Sequence, residues 1–191
     1  MIILGSTSPR RKEILSHFSL PFVAVAPPFD EEAIPFRGNP EEFVCILSGG
    51  KAESLTKEHP AAIILAADTV VYANEKSYGK PKTGEEACQY LSELVGKWHT
   101  VYTGVTVRHG DQVFHQAEGT RVLFNALTDS QIEHYIKHTH WADKAGGYAI
   151  QLAGGLIVQK IEGCYYNVMG FPINTVATLL KKVGIELWNF L

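Results

Sequence analysis

Apolar and polar positions along this chain alternate between two spacings. Met1 to Leu4 is a short apolar run and predicts a buried strand. In Lys12 to Phe18, Ile14, Leu15 and Phe18 share one helical face. Phe22 to Ala26 predicts a second strand, which Pro27-Pro28 ends. Asn39-Pro40-Glu41-Glu42 combines a capping residue, a proline at the first helical position and acids in the first turn. The helix it opens is expected to run to about Lys57, with Phe43, Val44, Leu47 and Leu55 inward. Ala61 to Ala73 is the clearest strand. Its first half is apolar on both faces, which implies a central strand covered on both sides.

Beyond it, Asn74-Glu75-Lys76 predicts a hairpin tip returning through Tyr78. Thr83 predicts a helix cap with Glu86 as its reciprocal partner, Ala87, Tyr90, Leu91 and Leu94 form the inner face, and Gly96 is the stop. Trp98 to His109 and Gln112 to Phe124 alternate as two long strands about the turn Gly110-Asp111. Thr128 opens another helix ending near Thr139. A glycine turn, Asp143 to Tyr148, leads to the strand Leu156 to Ile161 and to a last helix from Phe171-Pro172 to Lys182. The pattern predicts one α/β unit spanning residues 1–191, built on a mixed sheet and divided into two lobes.

Several polar residues do not fit a purely structural pattern. Ser8 and Pro9 stand at the cap and first position of the first helix, yet Arg10 and Arg11 follow at the positive end of its dipole. A bound anion would reverse that penalty, and free N–H groups with Ser6, Ser8 and two guanidinium groups would suit a polyphosphate. The plainer alternative is an ordinary helix start with solvated arginines. Asp68 interrupts the apolar run Ile63 to Ala67. A carboxylate there is either buried and paired, or placed at a site at the strand's end, where open α/β sheets bind ligands; the second reading is favoured. Gly49-Gly50-Lys51 is not a phosphate loop, because position 45 is Cys and no strand leads into it. By spacing alone, Lys51 is a solvated helix charge.

Composition narrows the classes. A hydrophobic share of 46% over 191 residues supports a real core, and a net charge of −3 offers no global basic field for nucleic acid. No run approaches the ~18 apolar residues of a membrane helix, and the start has no secretory pattern. Cys45, Cys88 and Cys164 form no C-x-x-C pair, which points to a reducing cytoplasm. His134 and His138 have a metal-ligand spacing, but Tyr135 stands where the zinc-protease pattern needs Glu, so surface histidines are expected.

Six segments lie in the order and register of the Maf family: Ser6 to Arg11, Asp30-Glu31-Glu32, Lys51-Ala52, Ala66 to Val71, Gly79-Lys80-Pro81 and Asp143 to Gln151. The chain resembles these nucleoside triphosphate pyrophosphatases, also described as septum-formation inhibitors, from Ser6 to Met169-Gly170-Phe171-Pro172. The resemblance implies a fold like that of inosine triphosphate pyrophosphatase: a mixed twisted sheet flanked by helices, two lobes around a central cleft, and a homodimer. It assigns Arg11, Glu31, Lys51, Asp68 and Lys80 to catalysis and phosphate binding, with Glu31 chosen from its loop by its distance from Arg11. Ala149 and Leu152 stand where the family usually has glycines.

The implied reaction releases pyrophosphate from a nucleoside triphosphate. Arg11, Lys51 and Lys80 would offset phosphate charge. Glu31 and Asp68 are hard oxygen ligands for Mg²⁺ or Mn²⁺, and Asp68 could instead orient or deprotonate the attacking water. Arg10, Thr69 and Gln151 match the branch that acts on dTTP, UTP and related pyrimidines; the other branch prefers 7-methyl-GTP. A Gln amide suits the N3–H and carbonyl edge of uracil or thymine, unless Gln151 only ties down its own loop. Two other readings stay open: a nucleotide-binding regulator of cell division without catalysis, and a nucleic-acid binder, which the net charge disfavours.

Overall fold

The apolar run after Pro60 becomes the central strand of a seven-stranded sheet. In a computed structural model describing residues 1–191, the strands are β1 (Ile2–Gly5), β2 (Phe22–Val25), β3 (Ile63–Ala73), β4 (Lys76–Tyr78), β5 (Trp98–His109), β6 (Gln112–Phe124) and β7 (Val158–Glu162). The helices are α1 (Pro9–Ser16), α2 (Pro40–Ser54), α3 (Gly84–Leu94), α4 (Asp129–His138), α5 (Tyr165–Val168) and α6 (Ile173–Lys181). Three 3₁₀ turns, Ala145–Gly147, Leu152–Leu156 and Leu187–Phe190, complete the chain. No helix is long and apolar enough to cross a membrane.

The sheet order is β2-β1-β3-β5-β6-β7, with β4 on β3. β1 runs parallel to β2 and β3, while the β3, β5, β6 and β7 pairings are antiparallel, so the sheet is mixed as expected. β3 has β5 along nearly all of one side. On its other side β1 ends opposite Ala66, and β4 covers only Val71 to Ala73. Ala67, Asp68, Thr69 and Val70 therefore have no strand partner on that side. This gap is where the sheet opens into a cleft.

The twofold period of strands assigns the covers. Ile2, Leu4, Leu65 and Ala67 face one layer and pack with Ile14 and Leu15 of α1 and Val176, Leu179 and Leu180 of α6. Ile3, Ile64 and Ala66 face the other layer and pack with Ala52 of α2 and Leu55 just after it. α2 lies close on the sheet at Gly104, where a Cβ would come within 2.3 Å of the Val44 carbonyl oxygen. A second lobe gathers the far ends of β3, β5 and β6 under α3 and α4, with Tyr78, Leu91, Phe124, Ile132 and Tyr148 in its core. The three long strands run through both lobes and join them.

Several local expectations need correction. Ser8 is the N-cap of α1, but its side chain makes no capping bond. The Thr83 hydroxyl accepts the Glu86 N–H as expected, whereas the Glu86 carboxylate turns to the Lys82 N–H and the Tyr90 hydroxyl rather than back to Thr83. α2 stops at Ser54, and the last strand begins at Val158 rather than Leu156 because Leu152–Leu156 coils into a 3₁₀ turn. The Thr128 capping box and the hairpin at Gly110-Asp111 form as predicted.

Candidate active site

Asp68 and Thr69 are neighbours in β3, so they face opposite layers. Asp68 shares the face of Ile64 and Ala66, where α2 lies, and Lys51 comes down from that helix to meet it. The Lys51 Nζ donates to Asp68 Oδ1 at 2.5 Å and pairs with Glu31 Oε1 at 2.7 Å. Both Lys51 and Asp68 are only 5% exposed. The spacing argument for a solvated lysine is therefore wrong: the α2 face that carries Leu47 and Ser48 also carries Lys51 into the layer. Asp68 is also not at the end of its own strand. It lies mid-strand in β3, just past the carboxyl end of β1, at the gap in the sheet.

Thr69 faces the other layer and meets α1. The Arg11 guanidinium donates from Nη2 to Thr69 Oγ1 at 3.0 Å, from Nη1 to the Ala67 carbonyl at 2.7 Å and to Ser6 Oγ at 3.4 Å, and from Nε to the Gly170 carbonyl at 2.8 Å. Arg11 thus satisfies the Ala67 carbonyl at the gap. Ser6 Oγ also accepts the Ser8 N–H at 3.1 Å, which shapes the loop before α1. Arg10 is not a free anion ligand. It crosses the cleft to Asp143, with Nη1 to Oδ2 at 2.8 Å and Nη2 to the Asp143 carbonyl at 3.3 Å.

The remaining expected residues line the same cleft of about 840 Å³: Ser8, Glu31, Lys80 and Gln151, with Tyr148 beside them. Lys80 is exposed, makes no ion pair and lines the cleft. Gln151 heads the turn Leu152–Leu156, but its side chain does not cap it. That removes the reading in which Gln151 ties down its own loop by capping. The acidic loop reaches the site because Gly50 gives it room: a Cβ there would lie 2.3 Å from the Phe29 ring. A second ion pair, Lys82 to Glu32 at 2.8 Å, joins this loop to the segment before α3.

The two carboxyls are held differently. At Glu31, burial opposes ionisation, but Lys51, then Lys80 and Arg11, outweigh it and keep the carboxyl below its ordinary value. At Asp68, burial outweighs the pull of Lys51 and Arg11, and Glu31 adds repulsion, so that carboxyl sits above its ordinary value. Burial lowers Arg11 while Asp68 props it up. Within the protein each carboxylate uses one oxygen, Asp68 Oδ1 and Glu31 Oε1. Asp68 Oδ2 is not sealed off as an orphan. Two carboxylates are too few for an all-protein metal cage, and no group of three or more His, Cys, Asp or Glu gathers anywhere in the chain. Two carboxylates do fit an ion whose shell is completed by phosphate oxygens and water, which is the habit of Mg²⁺. His134 and His138 stay exposed on α4.

Two supports were not read from the sequence. Asp143 anchors Arg10 and is itself paired with Lys144 at 2.5 Å. His99, 3% exposed, shares a 2.7 Å hydrogen bond between Nε2 and the Tyr148 hydroxyl. A histidine at an inward position of β5 was the available signal.

A family model of Maf-like proteins matches residues 1–183. The chain belongs to the Maf-like family. It is 41% identical over 191 residues to a dTTP/UTP pyrophosphatase of Chlamydia caviae, covering 100% of this chain and 97% of that protein. It is 43% identical over 189 residues to a dTTP/UTP pyrophosphatase of Clostridium perfringens, covering 97% of this chain and 98% of the other. Among solved structures, the Ham1 protein of Staphylococcus aureus aligns with a TM-score of 0.41 and 15% identity, over 63% of this chain and 71% of that one. The family's motifs converge here: Arg11, Glu31, Lys51, Asp68 and Lys80 lie around one cleft.

Proposed function

We propose that this Maf-like protein hydrolyses a nucleoside triphosphate to the monophosphate and pyrophosphate, with dTTP or UTP as substrate. One observation carries the reading: a buried carboxyl with a raised pKa, Asp68, stands in a sheet gap among cations that face an open cleft. The full-length likeness to dTTP/UTP pyrophosphatases supports the substrate class.

The reaction follows from the side chains. A water attacks the α-phosphorus, the bond to the α–β bridging oxygen breaks, and pyrophosphate leaves with that electron pair. Asp68 takes the water's proton, and its raised pKa brings it closer to that task. Lys80 and the last free N–H of Arg11 stabilise charge on the phosphates. Lys51 keeps Asp68 and Glu31 together. Glu31 would hold Mg²⁺ or Mn²⁺ jointly with the triphosphate, with Asp68 as the second carboxylate where it does not act as the base, and such an ion would supply charge neutralisation and a more acidic water.

The base end is set by Gln151, whose amide is free of its loop and matches a pyrimidine N3–H and carbonyl. Arg10 offers no aromatic plane for a cationic purine and is engaged by Asp143. The test is a product assay with dTTP, UTP and 7-methyl-GTP, run with Mg²⁺, with Mn²⁺ and with a chelator. Pyrophosphate release from the pyrimidine nucleotides, lost on chelation, is expected. Orthophosphate release, or nucleotide binding without turnover, would overturn the reading.

A further inference from the structure

We infer that Thr103 is a positioning residue that orients the Arg11 guanidinium through Thr69, by a hydrogen-bonded ring closed by the Asn167–Gly170 turn. The inference rests on the reading that Arg11 faces the triphosphate.

The partners along the ring assign one consistent proton order. The Thr103 hydroxyl donates to the Asn167 carbonyl at 3.1 Å. A hydroxyl has one proton, so in the 3.0 Å contact between Thr69 Oγ1 and Thr103 Oγ1 the donor is Thr69. Thr69 in turn accepts from Arg11 Nη2 at 3.0 Å. The order is therefore Arg11 to Thr69 to Thr103 to Asn167. Gly170 closes the circuit: its N–H donates to the same Asn167 carbonyl at 2.8 Å, and its own carbonyl accepts Arg11 Nε at 2.8 Å. Hydrogen bonds aligned head to tail polarise one another.

The ring is buried and tightly built. Thr103 and Asn167 are fully buried, and the Asn167 side chain is fixed by its Nδ2 donating to the Val101 carbonyl at 2.9 Å and to Thr120 Oγ1 at 3.0 Å. Gly170 has φ +91°, and a Cβ there would lie 3.0 Å from Thr69 Oγ1. With Ala67 and Ser6 also engaged, four of the five guanidinium N–H groups are held inside the protein. One is left for substrate, and the ring decides where it points. Because the Thr69 proton is committed to Thr103, Thr69 has no donor for a base; its influence on the substrate runs through Arg11.

The experiment combines kinetics with a signal that needs no substrate. Thr103→Val keeps the shape and removes the hydroxyl; Thr103→Ser restores it. Loss of one link is expected to lower kcat about fivefold in Thr103→Val, with Thr103→Ser near wild type. In a Thr69→Val background, Thr103→Val should add nothing, since the chain is already cut. By NMR, the Arg11 Nε–H should exchange with water faster in Thr103→Val and in Thr69→Val than in wild type and Thr103→Ser, with thermal unfolding midpoints recorded alongside. An unchanged Arg11 signal in folded Thr103→Val, or fully additive losses in the double variant, would overturn the inference. Should Thr103→Val not fold, Thr69→Val cuts the same chain one link earlier, and an unchanged Arg11 signal there would overturn it as well. If the wild type releases no pyrophosphate, the functional reading falls, while the Arg11 signal still decides on the ring.

Discussion

The two walls of the cleft are built on opposite principles. On one wall, Lys51, Asp68 and Arg11 come from α2, β3 and the start of α1, are backed by regular structure and are held by one another or by neighbouring backbone and hydroxyl groups. On the other, residues 143–156 form turns rather than strands or helices. Gly146 and Gly147 have positive φ there, Gln151 has no capping bond, and Leu152 is 99% exposed. On the proposed reading, the first wall holds charge that must not move while phosphorus changes partners. On the same reading, the second presents a surface that has only to recognise a base. Desolvated charge needs fixed partners; recognition by a few polar contacts does not. The contrast implies that changes on the first wall cost turnover, and changes on the second alter selectivity or stability.

The sharpest way to break the contrast is Asp68→Asn. Asn is nearly isosteric and can still accept from Lys51, but it carries no charge and is not a base. Turnover is expected to fall at least ~100-fold, with the unfolding midpoint showing a folded protein. Retained turnover would take Asp68 out of the chemistry and leave it a structural partner of Lys51. The acid limb of the wild-type rate profile should also lie above the ordinary aspartate range, because burial raises the pKa of Asp68.

His99 tests whether the loop wall has a rigid root. Burial holds its pKa down from 6.5 to about 4, and its Nδ1 has no partner. The ring stacks edge-on against Phe124 and Tyr148. The unfolded chain takes up a proton near pH 6.5 that the native chain refuses until about pH 4, so stability is lost as pH falls through that window. Between pH 7 and pH 5 the loss is expected to be about 2 kcal/mol. Chemical denaturation at both pH values measures it, and His99→Phe should flatten the slope. A slope unchanged in the variant would mean that other groups carry it.

These sites were legible to different degrees. Strand and helix order followed from periodicity, because each element buries one continuous face. Asp68 was visible as a charge within an apolar run, and Lys51 only through its motif, since a single lysine in a helix has no spacing signature. The gap in β3 was not legible at all. It arises because β1 is too short to pair with the second half of β3 and β4 covers only the far end, a fact of tertiary length matching. The Thr69–Thr103 link was hidden for the same reason: it joins residues 34 apart through strand register.

Selectivity should respond on the loop wall. Gln151→Glu replaces an amide that can both donate and accept with a group that only accepts. The ratio of kcat/KM for dTTP over 7-methyl-GTP is expected to narrow about tenfold, with turnover on the better substrate changing less than in Asp68→Asn. A drop in turnover on every nucleotide with the ratio unchanged would move Gln151 from recognition to catalysis and erase the difference between the walls.

The smallest effect concerns strain on the same wall. Leu152 has φ +53°, a conformation that costs a side-chain-bearing residue about 1 kcal/mol. Its side chain is exposed, so little packing repays that cost. The backbone is forced into this turn because the Gly154 N–H closes on the Gln151 carbonyl at 2.9 Å and Gly154 packs against Ala149, where a Cβ would come within 1.7 Å of the carbonyl oxygen. Leu152→Gly relieves the strain but frees the unfolded chain, which offsets part of the gain. The net expected is a stabilisation of about 0.5 kcal/mol, or a midpoint rise of ~1–2 °C. Leu156→Gly is the control: Leu156 is also exposed, at 76%, but its φ is not positive, so the same change there should destabilise. Opposite signs at two exposed leucines four residues apart would show that the loop wall stores backbone strain beside Gln151. Equal signs would mean that Leu152 is held by contacts along the turn and that the wall is as settled as its counterpart.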